Sequence, residues 1–442
     1  MRSKKVAVVG GGFSGLVAIR ELCREGHEVV AFERGAQLGG TWVYSPETES
    51  DPLGIDPTRT VVHSSLYDSL RTNLPRHIMG FREFPFVDSG KPGRDSRRYP
   101  KHEEVLRYLE DFACEYGLKE LIRFQTEVLF VGLEKDGKWT VKSRRKNTDE
   151  LEETFDAVVI CCGHNTEPRI ADIPDVEVWP GWQCHSHSYR TPEAYRDQVV
   201  IVIGASASAI DISRDIAGVA KEIHVVRQSE GRFKFWDKFR LTNMFFHPMI
   251  DKAYADGRVG FQDGTEVIAN VILHCTGYKH HYPFLHTDGA VNVDDNRVGP
   301  LYKHVFPPAL APGIAFVGIP NFVITSLHFE LQSKWIAGIL SERISLPSEE
   351  EMMQDVETLY SKLEASNVPK RHTHMLGDFL FELEDWLAKE CGCPAIEEWR
   401  KNMFKSCFAS FIAFPKTYRD EPDCSEELYE QAEQEFRQVL GT

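Results

Sequence analysis

The chain has 442 residues, which is enough for two or three domains of about 150 residues each, and 42% of them are hydrophobic, as suits a soluble globular protein. A net charge of −16 argues against nucleic acid and anionic membrane surfaces as partners, because both repel a net anion. No apolar run approaches the roughly 18 residues that a membrane-spanning helix requires, and ten cysteines without a C-x-x-C pair argue against structural zinc and for a reducing, cytoplasmic setting.

The first predicted element is a strand, Val6–Val9, which runs into Gly10-Gly11-Gly12-Phe13-Ser14-Gly15 and then a helical stretch, Ser14–Glu25. A glycine-rich turn between strand and helix suits dinucleotide binding. Gly10 makes the tight turn, Gly12 lets backbone approach pyrophosphate, and Gly15 packs helix on strand. Phe13 and Ser14 open the helix, whose free N–H groups favour an anion. Glu33 stands 23 positions after Gly10, closing a second apolar run, Val29–Phe32. A carboxylate there accepts hydrogen bonds from free ribose hydroxyls. Gly39-Gly40-Thr41-Trp42 follows, and Gly40 and Trp42 are further cofactor candidates. Residues 36–100 are rich in Gly, Pro, Asp and Ser, predicting long ordered loops around a cofactor. Helical periodicity returns over His102–Tyr116. Strands are predicted over Gln125–Leu133, Lys138–Ser143 and Phe155–Cys162, the last stopping at Gly163-His164.

Pro168–Pro192, rich in Pro and Trp, reads as a domain crossing. A second unit occupies about 198–228: the strand Val199–Ile203 enters Gly204-Ala205-Ser206-Ala207-Ser208-Ala209. Arg227 lies 23 positions after Gly204 and closes Ile223–Val226. A guanidinium there pairs with a 2′-phosphate, with Ser206, Ala207 and Ser208 at the turn and Gln228 beside it. Opposite charges at one offset predict two dinucleotides, one with a 2′-phosphate and one without; FAD and NADPH are the natural pair. The strand-like run Val267–His274 ends at Cys275-Thr276-Gly277-Tyr278, echoing Cys161-Cys162-Gly163-His164. The two endings read as hinges between an inserted domain and its host. A strand at Ile314–Gly318, a helix over Gln332–Ser341 and a mostly helical last hundred residues complete the chain. The expected fold is α/β with two Rossmann-like dinucleotide-binding domains. The FAD domain is expected to be discontinuous, 1–168 and 280–442 with C-terminal helices, and the NADP domain, 169–279, is inserted in it.

The segment Trp179-Pro180-Gly181-Trp182-Gln183-Cys184-His185-Ser186-His187-Ser188-Tyr189 resembles the identifying sequence F-x-G-x-x-x-H-x-x-x-[YF] of the flavin-containing monooxygenases. Gly181, His185 and Tyr189 match, and Trp179 stands for the usual phenylalanine. Leu70–Pro75, His274–Tyr278 and Phe329–Trp335 are similar to the same family, and the resemblance runs nearly end to end. His185–Arg190, Leu273–Tyr278 and Gly299–Phe306 resemble the plant group that S-oxygenates glucosinolates and related thioethers.

The resemblance implies that NADPH reduces FAD, that reduced flavin captures O2 as a C4a-hydroperoxide, and that a small thioether takes the distal oxygen to give a sulfoxide. It also implies that Asn73 is the catalytic and cofactor-contacting amide, able to donate to a peroxide oxygen or NADP⁺, and it adds Thr276, Gly277 and Gln332 as cofactor contacts. His185 and His187 read as structural or hinge residues, because no third ligand of suitable spacing stands near; no metal is expected. Amine N-oxygenation stays open, as do Baeyer–Villiger and keto-acid-decarboxylating chemistries. A flavin disulfide or ferredoxin-type reductase would want a C-x-x-C pair beside the flavin. The intact glycines and Arg227 oppose an inactive flavin-binding scaffold.

Overall fold

The computed structural model describes residues 2–146, 148–227, 238–421 and 426–441. Two five-stranded parallel sheets organise them. The first runs Ile314–Phe316, Ala157–Ile160, Lys5–Val9, Glu28–Phe32, Ile122–Arg123, and the second Met244–His247, Glu222–Val226, Val199–Ile203, Val271–His274, Trp182–His185. The inner strands are near-continuous apolar runs because parallel sheets are covered on both faces.

In the first sheet Val6 and Val8 face a core shared with the helices Phe13–Arg24 and Thr325–Leu340. Ala7 and Val9 face a second core with Val131, Trp139, Val141 and Phe155, residues of a four-stranded sheet, Leu285–His286, Thr126–Leu133, Trp139–Arg145, Glu150–Phe155. The strand period of two sends alternate side chains to the two layers. The second sheet repeats the plan. Val200 and Val202 pack with Ile210, Ile212 and Ile216 of the helix Ala207–Ile216. Val199, Ile201 and Ile203 pack with Val259 and Phe261 of a three-stranded antiparallel sheet. The architecture is α/β with two Rossmann-like domains.

Two predicted strands run across a change of sheet. Phe155–Cys162 starts on the last residue of an unexpected strand, Glu150–Phe155, and crosses at Asp156 into Ala157–Ile160, and Val267–His274 divides at Ala269-Asn270 between Glu266–Ile268 and Val271–His274. In each case the chain leaves an antiparallel sheet, enters a parallel one, and an Asp or Asn fastens the crossing. Asp156 accepts from Lys5 N through Oδ2 at 2.7 Å and donates its N–H to Lys5 O at 2.8 Å. Asn270 does the same to Val199, at 2.9 Å in both directions. The helix expected over Gln332–Ser341 spans Thr325–Leu340. Its first turns are buried almost all round, with Leu327, His328, Glu330 and Leu331 inside, so no amphipathic stripe marks them. The Pro- and Trp-rich connector contains Trp182–His185, the edge strand of the second sheet.

Candidate active site

Each glycine turn is pinned in the same way. Gly10 N–H donates to Phe32 O at 2.8 Å, and Cys161 N–H donates to Val9 O at 2.8 Å. Gly204 N–H donates to Val226 O at 3.1 Å, and Cys275 N–H donates to Ile203 O at 2.8 Å. The first residue of each turn therefore lies against the cysteine ending the neighbouring strand. A Cβ on Gly10 would strike the Cys161 carbonyl, and one on Gly204 the Cys275 carbonyl. The turns differ five residues on. A Cβ on Gly15 would strike the Gly10 carbonyl, whereas Ala209 is accommodated, fully buried.

The helices Phe13–Arg24 and Ala207–Ile216 both begin without a side-chain cap. Their first N–H groups are left for an anion, and the helix dipole favours one there. Ser14 turns inward, its hydroxyl donating to Cys161 O at 3.4 Å. Ser206 and Ala207 are exposed, and Ser208 is half-buried. Glu33 is buried with both carboxylate oxygens engaged: Oε2 accepts from Gly11 N at 2.8 Å and Oε1 from Gly35 N at 2.5 Å. A carboxylate has about four lone-pair sites, so acceptor capacity remains on its free side. Arg227, half-buried at the matching place, sits 5.1 Å from the centre of the Phe246 ring. Arg240 lies 5.2 Å from that ring. Gln228 lies outside the described residues.

Gly12 and Gly40 bring two loops into backbone contact. A Cβ on Gly40 would lie 2.9 Å from Gly12 Cα, and one on Gly12 3.3 Å from Gly40 Cα. Beside them Phe13, Trp42, Asn73, Leu74, Met79 and Thr325 line a cavity of about 70 Å³. Asn73 is exposed and supplies the only amide side chain of that lining. Gln332 is buried; Oε1 accepts from Gly318 N at 3.0 Å, and Nε2 has no partner. Gly318 lines a void with Ile160, Cys162, Gly163, His164 and Tyr282. This donor set suits a flavin dinucleotide: open helix N–H groups and a backbone cradle for pyrophosphate, a carboxylate for ribose, and an orphaned buried amide donor.

The remaining expected contacts lie at the crossing between the sheets. Thr276 Oγ1 donates to Arg169 O, and Arg169 N–H donates to Gly277 O at 2.9 Å, beside the pairing of Glu167–Pro168 with Tyr278–Lys279. Here these two residues bind one crossover to the other. His187 Nε2 lies 3.2 Å from Glu49 Oε1, which also accepts from Val62 N at 3.1 Å, and Arg59 Nε donates to Glu49 Oε2 at 2.6 Å. His185 Nδ1 accepts from His187 N at 3.0 Å. These histidines hold the loop around Glu49, and burial pushes His185 down to about 3. Among the described residues no group of three His, Cys, Asp or Glu is placed to hold a metal ion. Burial pushes the thiols of Cys161 and Cys275 well above their usual range and Cys162 up to about 12, which removes thiolate chemistry from both turns at neutral pH. Met79 and Thr325 reach the cavity without any local sequence signal, and only the fold gathers them.

Two glycine turns with opposite charges after their second strands, and an apolar cavity holding one amide, define a two-nucleotide α/β oxidoreductase. The chain belongs to the flavin-binding monooxygenase-like family, whose model matches residues 3–236 and 239–398. It is 55% identical over 442 residues to flavin-containing monooxygenase FMO GS-OX-like 4 of Arabidopsis thaliana, covering 99% of this chain and 98% of that protein. It is 51% identical to FMO GS-OX5 of the same plant, covering 100% and 96%. Among solved structures it matches S-allyl-L-cysteine S-oxygenase from Allium sativum with a TM-score of 0.94, 52% identity and 99% of each chain covered. Tmm from a Pelagibacter strain matches with a TM-score of 0.81, 29% identity and coverage of 94% and 93%. The protein is thus a flavin monooxygenase. No helix among its described residues is long and apolar enough to cross a membrane.

Proposed function

We propose that this enzyme is an NADPH- and O2-dependent S-oxygenase that converts a small thioether to a sulfoxide with FAD as its flavin. The carrying observation is the cavity at Asn73, whose lining residues are Phe13, Trp42, Leu74, Met79, Thr325 and Asn73, none of them charged. Such a wall offers no carboxylate to an ammonium substrate and no cation to a keto acid. It suits a neutral, soft nucleophile, and divalent sulfur is the softest common one in small metabolites. Likeness to an S-oxygenase over 99% of the chain supports the same reading.

The flavin, when bound, supplies hydride acceptance and oxygen activation. The chain's own residues place it and keep it dry. Gly10, Gly12 and Gly15 with Phe13, Ser14 and Gly40 would hold the FAD pyrophosphate, Glu33 would hold its ribose, and Trp42 and Gln332 would be further contacts to the flavin. Gly204, Ser206, Ala207 and Ser208 would hold the NADPH pyrophosphate, and Arg227 its 2′-phosphate. Thr276 and Gly277 would add further cofactor contacts. With the flavin bound, Asn73 Nδ2 would offer a hydrogen bond to the oxygen to be transferred without offering a proton that would discharge it, and the uncharged lining would disfavour water there. The FAD domain is taken as 1–168 and 280–442 with the NADP domain 169–279 inserted. Pairing of Ile314–Phe316 with Ala157–Ile160 supports that division. The nine free cysteines described suit a cytoplasmic home.

The test is NADPH consumption by purified protein with S-allyl- and S-alkyl-cysteines, aliphatic amines and keto acids, with product masses read in parallel. A thioether gaining one oxygen, at a rate above amines and keto acids, is the expected result. Turnover of keto acids or amines with no sulfoxide overturns the assignment.

A further inference from the structure

The C-terminal segment reaches back to the candidate site through Arg419 and its neighbour Asp420. Arg419, six residues beyond the helix Glu398–Ala413, is half-buried with its side chain 8% exposed, and its fork is used on two sides. Toward the second domain, Nη1 and Nη2 donate to Asp211 Oδ1 and Oδ2 at 2.9 and 2.6 Å. Asp211 lies on the helix Ala207–Ile216, which opens at the Gly204 turn. Toward the first domain, Nε donates to Thr72 O at 2.8 Å and Nη2 to Arg71 O at 3.4 Å. The Thr72 carbonyl belongs to the peptide that joins Thr72 to Asn73.

The contact is reciprocal and reinforced. Arg71 Nη1 donates to Asp420 Oδ1 at 2.7 Å and its Nη2 to Arg419 O at 3.3 Å. Tyr67 OH donates to Asp211 Oδ2 at 3.2 Å. One turn along the helix, Asp215 accepts from Ser69 Oγ at 2.9 Å and from Tyr189 OH. The segment 67–72 is thereby tied to one face of the helix, and Arg419 is the group that bonds to the helix and to the Asn73 peptide together. A planar guanidinium delivers such bonds in fixed directions, whereas an ammonium supplies a point charge on a flexible stem.

We propose that Arg419 is a positioning residue for oxygen transfer: it fixes the Asn73 amide relative to the helix that opens at the coenzyme turn. The proposal rests on the reading of Asn73 and the Gly204 turn given above. A displaced amide still allows flavin reduction but no longer holds the oxygen for transfer, so the reducing equivalents leave as hydrogen peroxide.

The experiment measures sulfoxide and hydrogen peroxide formed per NADPH, with flavin content and melting temperature, in full-length wild type, Arg419→Ala, Arg419→Lys, Asp211→Asn, Tyr67→Phe and Asn73→Ala. Arg419→Ala is expected to stay yellow and oxidise NADPH while sulfoxide per NADPH falls roughly tenfold and peroxide rises to match, since small misplacements at a reacting centre cost that much or more. Arg419→Lys keeps the charge but reaches Asp211 or Thr72 O, not both, and recovers part of the yield. If Arg419→Ala does not yield folded protein, Asp211→Asn decides together with Tyr67→Phe, because Asp211→Asn keeps the side chain's shape and weakens the bonds from both Arg419 and Tyr67 whereas Tyr67→Phe removes the second alone; a yield reduced in Asp211→Asn and not in Tyr67→Phe supports the role, and an equal reduction in both overturns it. Wild-type sulfoxide yield per NADPH in Arg419→Ala, or in Asp211→Asn, overturns it, as does a lower melting temperature with unchanged coupling. Full coupling in Asn73→Ala overturns the Asn73 reading itself, and with it the amide that Arg419 would position; uncoupling there with intact coupling in Arg419→Ala overturns Arg419 alone.

Discussion

Gly40 and Gly12 meet where two loops cross, and the meeting leaves no room for a side chain. A methyl on Gly40 would lie 2.9 Å from backbone carbon, a contact real Cβ atoms do not make, and the residue holds φ of 55°. Gly40→Ala should therefore purify with little or no flavin, read from the visible absorbance per mole of protein. Gly12→Ala presses less hard on Gly40, at 3.3 Å, yet puts a methyl at the proposed pyrophosphate site, and should also lose colour. Full yellow flavin in both would remove the first turn from the FAD site. Arg227 makes a different prediction. A charge-assisted guanidinium–phosphate pair is worth about 2 kcal/mol, roughly 30-fold in affinity. Arg227→Ala should raise the NADPH Michaelis constant by that order and leave the NADH constant nearly unchanged; equal losses with both coenzymes would make the arginine structural. The place of Glu33 at the end of the second strand was legible from its spacing alone. Its two backbone partners, Gly11 and Gly35, were not, because they depend on how the loop folds back.

Among elements, the two crossings carry the repeat further than the glycine turns do. Asp156 and Asn270 stand at equivalent places, each bonded both ways to the first residue or so of the strand that feeds its turn. Asn270→Ala removes an acceptor from Val199 N and should cost about 1 kcal/mol, the net worth of one such bond. Asn270→Asp keeps the acceptor and should cost less. Chemical-denaturation midpoints of the two variants check this, and equal losses would show that the side-chain oxygen is not what fastens the strand. The sequence read each crossing as one uninterrupted strand because local β-propensity does not register a change of sheet. The helix Thr325–Leu340 shows the converse failure: buried almost all round at its start, it lacks the periodicity that reveals a helix.

For the molecule as a whole, buried histidines set the response to acid. Burial holds His185, His280 and His328 down to about 3 and His274 and His304 to about 4. Unfolded, each titrates near 6.5. Between those values the unfolded chain binds more protons than the folded one, so stability rises with pH there and is lost as pH falls from about 6.5 toward 4. Each group contributes up to about 1.4 kcal/mol per pH unit within its window. Glu384 and Glu21 work the other way, since burial raises the first carboxyl well above the usual range and the second more modestly, and the folded forms retain protons the unfolded forms release; these two are outweighed by the five histidines. Melting temperatures should fall progressively from pH 7 to pH 4.5. A flat profile would mean that these rings are solvated and titrate normally.

The sequence by itself determined the two nucleotide units. Strand, glycine turn, helix and second strand are local in the chain, and their apolar runs and 23-residue offsets survive any arrangement of the rest. It also determined the family, because the motifs at Gly181–Tyr189 and Leu70–Pro75 keep their residues and their order. Only the tertiary structure decided what meets at the cavity. Phe13, Trp42, Asn73 and Thr325 come from four separate segments, and no periodicity links them. Arg419 was equally invisible: its partners lie 208 and 347 residues away, and a bond across that separation is specified by packing of the intervening domains, not by any pattern a segment can carry.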